Sequence, residues 1–162
     1  MKPEDIHSAF TRLIREHERM IYKVCFMYAD NSTYRQDLYQ EIVLQAWKGY
    51  DGFRGEAKFS TWLYQVALNT AIAGLRKDKR LELTHMPDGS LPDMADNAAN
   101  NEQLEILYTA IAKLNEIEKA IVMLYLDDKS YDEMQEIMGI ANGALRVKMT
   151  RIKEKLRQIT KK

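Results

Sequence analysis

Cysteine is nearly missing from this chain. The one copy, Cys25, excludes an internal disulfide, and its neighbours Ile21, Val24 and Tyr28 at helical spacing point to packing and not to a reactive thiol. Strand signals are nearly missing too, so an all-α fold is expected. No apolar run is long: the longest, Ala120–Leu126, falls far short of the ~20 residues a spanning helix needs, and no membrane insertion is expected. The opening Met1-Lys2-Pro3-Glu4-Asp5 lacks the apolar stretch of a secretory signal, which makes the cytoplasm the expected location. Net charge is also missing, with 24 basic against 24 acidic residues. Taken alone, that balance argues against a polyanionic partner, because nucleic-acid binders are often strongly basic.

The charge that is present is sorted by segment. Gly139–Lys162 holds eight basic residues (Arg146, Lys148, Arg151, Lys153, Lys155, Arg157, Lys161 and Lys162) and one acid, Glu154, for a net +7. Thr84–Glu102 holds Asp88, Asp93, Asp96 and Glu102 with no Lys or Arg. Segregation of this kind restores the case for a polyanion at the carboxy-terminal end. At 162 residues the chain accommodates one ordinary domain or two small ones.

Apolar residues at Ile6, Phe10, Leu13, Ile14, Ile21, Val24, Cys25 and Tyr28 follow a helical period, which predicts one amphipathic first helix with Pro3 in its first turn. Thr33 and Gln36 have capping-box spacing, so a second helix is predicted from near Tyr34 to Trp47, before Gly49, Gly52 and Gly55 break the pattern. A third is predicted from near Ser60 to about Asp78. Leu83–Gln103, with Pro87, Asp88, Gly89, Pro92 and a run of small and amide residues, reads as a flexible acidic linker. Beyond it, Leu104, Leu107, Tyr108, Ile111 and Leu114 form a stripe, and Asn115 with Glu118 caps the next helix. Ser130 and Glu133 form another capping box, and Gly139 sits where a helix ends in a left-handed residue. In the last helix Leu145, Met149, Ile152, Leu156 and Ile159 line one face, and the other face is almost wholly basic. The expected organisation is two small helical domains, 1–82 and 104–162, joined by the linker at 83–103.

Ser130–Leu156 thus reads as a helix-turn-helix, whose second helix docks by its apolar stripe and offers cations to base edges and phosphates. The plainer alternative is a solvated basic helix in a bundle, but capping box, glycine turn and stripe occur together here. Arg76, Lys77, Lys79 and Arg80 close the third helix, where cations also suit the negative end of the helix dipole. Phe53, Phe59 and Trp62 are, one by one, ordinary core aromatics. Beside a glycine-containing loop and a basic helix end they become what capture of unpaired bases requires, stacking surfaces with cations to hold the backbone. Glu4-x-x-His7 is half of a di-iron carboxylate set without a second half, so no metal, cofactor or catalytic residue is expected.

These residues resemble the extracytoplasmic-function class of bacterial sigma factors, in the primary sigma family, over nearly the entire chain. The family's region 2 helix, Asp-Leu-x-Gln-Glu-x-x-x-x-x-Trp, is matched by Asp37, Leu38, Gln40, Glu41 and Trp47. Its Trp-Leu-Tyr-x-x-Ala-x-Asn with a basic helix end is matched by Trp62, Leu63, Tyr64, Ala67, Asn69, Arg76 and Arg80. In region 4, Tyr131, Glu133, Glu136, Ile137, Gly139, Ile140, Gly143 and Arg151 fall on its helix-turn-helix pattern. The resemblance implies a non-enzymatic protein that docks on core RNA polymerase at its clamp and flap regions, selects promoter DNA and helps to open it. An anti-sigma factor is a further implied partner. Polymerase contact is expected of Asp37, Leu38, Gln40, Glu41 and Ile42. Capture of the downstream (−10) element is expected of Phe53, Arg54, Lys58, Asn69, Arg76, Lys77, Lys79 and Arg80. Reading of the upstream (−35) element is expected of Arg146, Val147, Lys148, Thr150 and Arg151, and the acidic linker is expected to pass near the template strand.

Several positions depart from the family pattern. Gln135 stands where a small residue usually packs between the two helices of the motif, implying a wider crossing or an outward side chain. Ala141 replaces the usual serine at the start of the recognition helix and is a poor cap, with Asn142 as the alternative start. Val147 replaces a frequent polar contact, and Arg35 and Gln36 replace small and acidic residues before Asp37. The competing reading is a free-standing helix-turn-helix regulator, which leaves the Asp37–Trp47 block without a purpose.

Overall fold

The computed structural model describes residues 3–53, 55, 57–81 and 101–160, and every regular element among them is helical. The chain divides into two compact units, Met1–Pro92 and Asp93–Lys162. Residues 82–100, most of the predicted linker, lie outside the described residues, as do Arg54, Lys161 and Lys162.

The first unit contains α1 (Pro3–Glu16), α2 (Glu18–Tyr28), α3 (Ser32–Tyr50) and α4 (Phe59–Leu81). Helices α2, α3 and α4 pack on one another around Ile21, Val24, Ile42, Leu63 and Tyr64, all fully buried. Each such side chain contributes about 1.5–3 kcal/mol relative to an exposed position. Ala46 on α3 and Ala67 on α4 are small and fully buried too.

The predicted continuous first helix is in fact two. His17 leaves helical geometry at φ −115°, ψ 13°, and its N–H bonds to the Ile14 carbonyl at 3.1 Å, a tightened turn. Its ring Nδ1 donates to the Leu13 carbonyl at 2.8 Å and the ring lies 5.2 Å from Phe59. A side chain that takes over a backbone acceptor in this way ends a helix locally, which an apolar period running straight through does not reveal. The cap of α3 also differs from expectation. Asn31 Oδ1 accepts from the Tyr34 N–H at 2.9 Å, so Thr33 and Gln36 already lie within the helix and are not its capping box. The departure at Arg35 has an internal use: its Nε donates to the Ala29 carbonyl at 3.0 Å and its guanidinium lies 5.0 Å over Phe26, fastening the α2–α3 turn. Burial lowers the pKa of this guanidinium, with Asp30 opposing the shift.

The second unit contains α5 (Asn101–Ala112), α6 (Glu116–Leu126), α7 (Tyr131–Met138) and α8 (Asn142–Thr160). Helix α8 packs against the other three, and Ile111, Ile121, Leu124, Met134, Leu145 and Ile152 fill the space between. Both capping boxes form as predicted. Asn115 Oδ1 accepts from Glu118 N at 2.8 Å while Glu118 Oε1 accepts from Asn115 N at 3.0 Å, and Ser130 and Glu133 repeat the exchange at 3.1 Å each way. Gly139 ends α7 at φ 70°, a left-handed position where a Cβ costs roughly 1–2 kcal/mol.

Cys25 is 1% exposed, and burial pushes its thiol up to about 12, against a smaller lowering by Arg35. A raised folded-state pKa means that the neutral thiol favours the fold; this contribution is full below the ordinary value of 9.0 and is lost as pH rises toward 12. The native chain is expected to resist alkylation at pH 8 and to react once unfolded. Between pH 8 and 10.5 its urea midpoint should fall further than that of Cys25→Ala; parallel pH profiles would contradict the burial of this thiol.

Candidate nucleic-acid and partner interfaces

Helix α3 turns two faces in opposite directions. Asp37, Gln40, Glu41 and Leu44 recur at spacings of three and four, and all four are exposed or partly exposed, with Leu44 at 44%. Glu41 accepts from Gln45 Nε2 at 2.9 Å, which holds its carboxylate over the helix surface. Leu38 lies at the edge of this stripe. Ile42 corrects the sequence reading: it is 0% exposed, because five residues past Asp37 a helix has turned it about 140° away, into the core. A side chain there cannot touch a partner. Leu44, seven residues from Asp37, extends this exposed stripe beyond the residues that the resemblance implies.

Between α3 and α4 the aromatic residues form one connected group. Phe10 lies 5.0 Å from Trp47 and 5.1 Å from Tyr50; Tyr50 reaches Phe59 at 6.4 Å. Phe53, Phe59 and Trp62 then close a triangle with centroid distances of 5.3, 5.5 and 5.6 Å. Pairs of this type add about 0.5–1.5 kcal/mol beyond area burial. Gly49 is part of the fit, since a Cβ there would lie 3.3 Å from Trp62 Cζ2. Phe53 is therefore a half-buried ring held by two neighbours, at the start of a loop that leads to exposed Lys58. Asn69 is exposed on α4. Arg76, Lys77, Lys79 and Arg80 are helical in the last turns of α4, and their side chains, like Arg54, lie outside the described residues.

Leu145, Met149 and Ile152 are buried on α8, so Val147, Lys148, Thr150 and Arg151 face outward, with Val147 at 51% exposure. The Thr150 hydroxyl donates to the Arg146 carbonyl at 3.1 Å. The net charge of the tail overstates what reaches solvent uncommitted. Lys155 Nζ lies 3.0 Å from both carboxylate oxygens of Glu118, Lys153 sits 4.9 Å over the Tyr125 ring, and Arg157 lies 3.5 Å from Glu154. Burial raises the Glu118 pKa, but the Asn115 N–H and the Lys155 ammonium outweigh it and hold the carboxyl below its ordinary value.

The start of α8 is capped from outside the helix. The Ala141 carbonyl accepts the first helical bond, from Leu145 N at 2.9 Å, which puts methyl-bearing Ala141 at the cap position. Gln135 supplies an acceptor for the first helical donor: its Oε1 takes the Asn142 N–H at 2.9 Å. The exposed Gln135 thus turns outward across the motif, one of the two expected alternatives. Asn142 Nδ2 donates to Asp132 Oδ1 at 2.7 Å, and Arg146 Nε donates to Asn142 Oδ1 at 2.7 Å. The Arg146 guanidinium lies 4.5 Å over the Tyr131 ring.

Known proteins match both units. The Sigma-70 region 2 family pattern matches residues 13–81, and the Sigma-70 region 4 pattern matches residues 104–156. The chain is 28% identical to the ECF RNA polymerase sigma factor SigW of Bacillus subtilis, over 93% of this chain and 88% of that protein. It is 29% identical to the ECF RNA polymerase sigma-E factor of Escherichia coli K12, over 91% and 84%. Among solved structures, its fold is similar to the sigma factor RpoE in complex with the anti-sigma factor NepR from Bartonella quintana, with a TM-score of 0.78, 17% identity and coverage of 94% and 97%. CnrH in complex with the cytosolic domain of CnrY is similar at a TM-score of 0.68, with 19% identity and coverage of 94% and 88%.

Loss of the external cap has a defined cost. Gln135→Ala should destabilise the second unit by roughly 0.5–2 kcal/mol, the range for a lost cap. Adding Ala141→Ser should return part of that loss, because a serine hydroxyl at the cap accepts from the Gly143 or Ala144 N–H and satisfies another donor of the same first turn. Equal urea midpoints for Gln135→Ala and the unaltered chain would remove Gln135 from this role.

Proposed function

The chain belongs to the extracytoplasmic-function class of the sigma-70 family, and from that premise we propose how its surfaces divide the work of promoter-specific initiation. It is an RNA polymerase sigma factor. We assign region 2 to 1–82, a linker to 83–103 and region 4 to 104–162. The observation that carries the division is the exposed acidic and apolar stripe of α3 in the same chain as a helix-turn-helix. A free-standing regulator has no use for that stripe.

Asp37, Gln40 and Glu41, with Leu38 and Leu44 beside them, form the polymerase handle, directed at the clamp. Carboxylates guide docking onto a basic partner, and apolar contact retains it. The loop ending at Lys58, with Phe53, Arg54 and Asn69, captures unpaired bases of the −10 element, and Arg76, Lys77, Lys79 and Arg80 grip phosphates beside it. Phe53, gripped by Phe59 and Trp62, is a preset stacking ring, so little ordering entropy is lost when a base meets it. In region 4, Arg146 and Arg151 address base edges, Lys148 and Thr150 address phosphates or sugars, and Val147 offers apolar contact to a thymine methyl. Region 4 also reaches the flap of polymerase, and the linker passes near the template strand. The chain adds no catalytic residue, metal or cofactor, because polymerase performs the chemistry, and it works in the cytoplasm with the polymerase. No helix among the described residues is long and apolar enough to cross a membrane. The structurally similar RpoE is in complex with the anti-sigma factor NepR, and CnrH with the cytosolic domain of CnrY; an anti-sigma factor is a partner of this chain too.

Asp37→Ala with Glu41→Ala should weaken binding to core polymerase by about tenfold, the equivalent of about 1.4 kcal/mol, with an unchanged unfolding midpoint. Leu44→Ala should also weaken binding. Ile42→Ala should instead cost about 2–5 kcal/mol of stability by leaving a cavity. A binding titration in which Leu44→Ala is silent would take the apolar half of the handle elsewhere.

Lys58→Ala with Asn69→Ala changes exposed side chains only, so stability and core binding should hold. Open complexes should fall roughly fivefold, what loss of about 1 kcal/mol gives. Full permanganate reactivity of promoter thymines with this variant would place strand capture on another surface.

A further inference from the structure

The outward-facing Arg146 of the recognition helix has its side chain fixed from two sides before any DNA arrives, and the cause lies in α7. Asn142 has a single amide, and its two ends face opposite chemistries. Asp132 only accepts, so the Asn142 NH2 turns toward it at 2.7 Å; Arg146 only donates, so the Asn142 carbonyl oxygen turns toward its Nε at 2.7 Å. The orientation of the amide is dictated by its partners. Tyr131 completes the set, with its ring 4.5 Å from the guanidinium carbon. With Nε engaged by Asn142, the donors that Arg146 has left for a base are its two terminal nitrogens, the planar fork that pairs with O6 and N7 of a guanine.

We propose that Asp132 and Asn142 are specificity-determining residues that touch no base: they form a relay that aims Arg146 at one guanine of the upstream element. This rests on the assignment of region 4 as the reader of that element. Asp132 and Tyr131 belong to α7, and Asn142 and Arg146 to α8, so the relay joins the supporting helix to the reading helix. A long arginine side chain otherwise loses rotamer freedom when it forms a bidentate pair, and a wrong base then costs less because the same arginine swings to a phosphate. Held at Nε and stacked on Tyr131, Arg146 meets the correct base without searching and meets a wrong one badly. The Gln135 bond to the Asn142 N–H is made to the backbone and survives changes to the Asn142 side chain.

The test is selection from a promoter library with a randomised upstream element, using holoenzyme reconstituted from core polymerase and the full chain. The unaltered protein should enrich guanine at a defined position, and Arg146→Ala should flatten that position alone. Asp132→Ala and Asn142→Ala should each lower the same preference by about fivefold, within the range of one bidentate pair, and leave the other positions as they were. Asp132→Asn keeps an acceptor for the Asn142 amide and should restore the preference, which a charge effect on the helix would not. If Arg146→Ala flattens a position while Asp132→Ala and Asn142→Ala select like the unaltered protein, base reading stands and the relay falls. If Asn142→Ala sharpens the preference, the contact restrains Arg146 and the proposal is overturned. If Arg146→Ala alters no position, Arg146 reads no base, and both the assignment of that residue and the relay fail. Thermal unfolding of each variant separates these outcomes from misfolding, which would weaken every position together.

Discussion

Burial of Leu145, Met149 and Ile152 fixes the rotation of α8 about its own axis, and that rotation determines everything its outer face presents. A helix turns about 100° per residue, so a slip of one position would carry Arg146 into the core in place of Leu145. Desolvating an unpaired guanidinium costs several kcal/mol, and the leucine would lose a further 1.5–3 kcal/mol, by the usual orders of magnitude. The competing registers are therefore excluded by a wide margin. With the phase set, Val147, Lys148 and Arg151 project outward without any instruction of their own.

The same logic governs α3, with a different pair of pins. Ile42 and Ala46 are both fully buried, so Asp37, Glu41 and Leu44 are carried to the opposite side. The aromatic group then fixes the chain leaving α3. Tyr50, Phe53, Phe59 and Trp62 enclose the start and end of the loop between α3 and α4, and Gly49 lets Trp62 come close enough to take part. Rings thus hold the chain where it leaves α3 and again where it enters α4.

Legibility in the sequence tracked the range of each interaction. The capping boxes at Asn115 and Ser130 and the left-handed Gly139 are settled by residues within four positions, and they were readable. The family blocks were readable because their residue types recur at fixed spacing. The break at His17 was not, because the apolar stripe continues through it and the deciding bond, from a side chain to the Leu13 carbonyl, leaves no trace in periodicity. The α3 cap was misplaced by two residues because Thr33 and Gln36 imitate the spacing that Asn31 fulfils alone. Ile42 was misread by proximity in sequence: a neighbour of Glu41 along the chain stands on a different face. Gln135 and Asn142 lie seven positions apart and on two helices, and no local rule connects them.

The external cap at the head of α8 also bears on how such a reader changes its target over generations. A recognition helix whose first turn is satisfied within itself is a cassette: it can be exchanged between scaffolds and bring its preferences along. This one is not. Its opening N–H is met by Gln135 and its Asn142 amide by Asp132, both on the preceding helix, so transplanting residues 142–160 alone would leave a frayed start on any host lacking those two side chains. Inheritance has to treat α7 and α8 as one unit, and variation at Asp132 or Gln135 is constrained by a helix to which neither belongs.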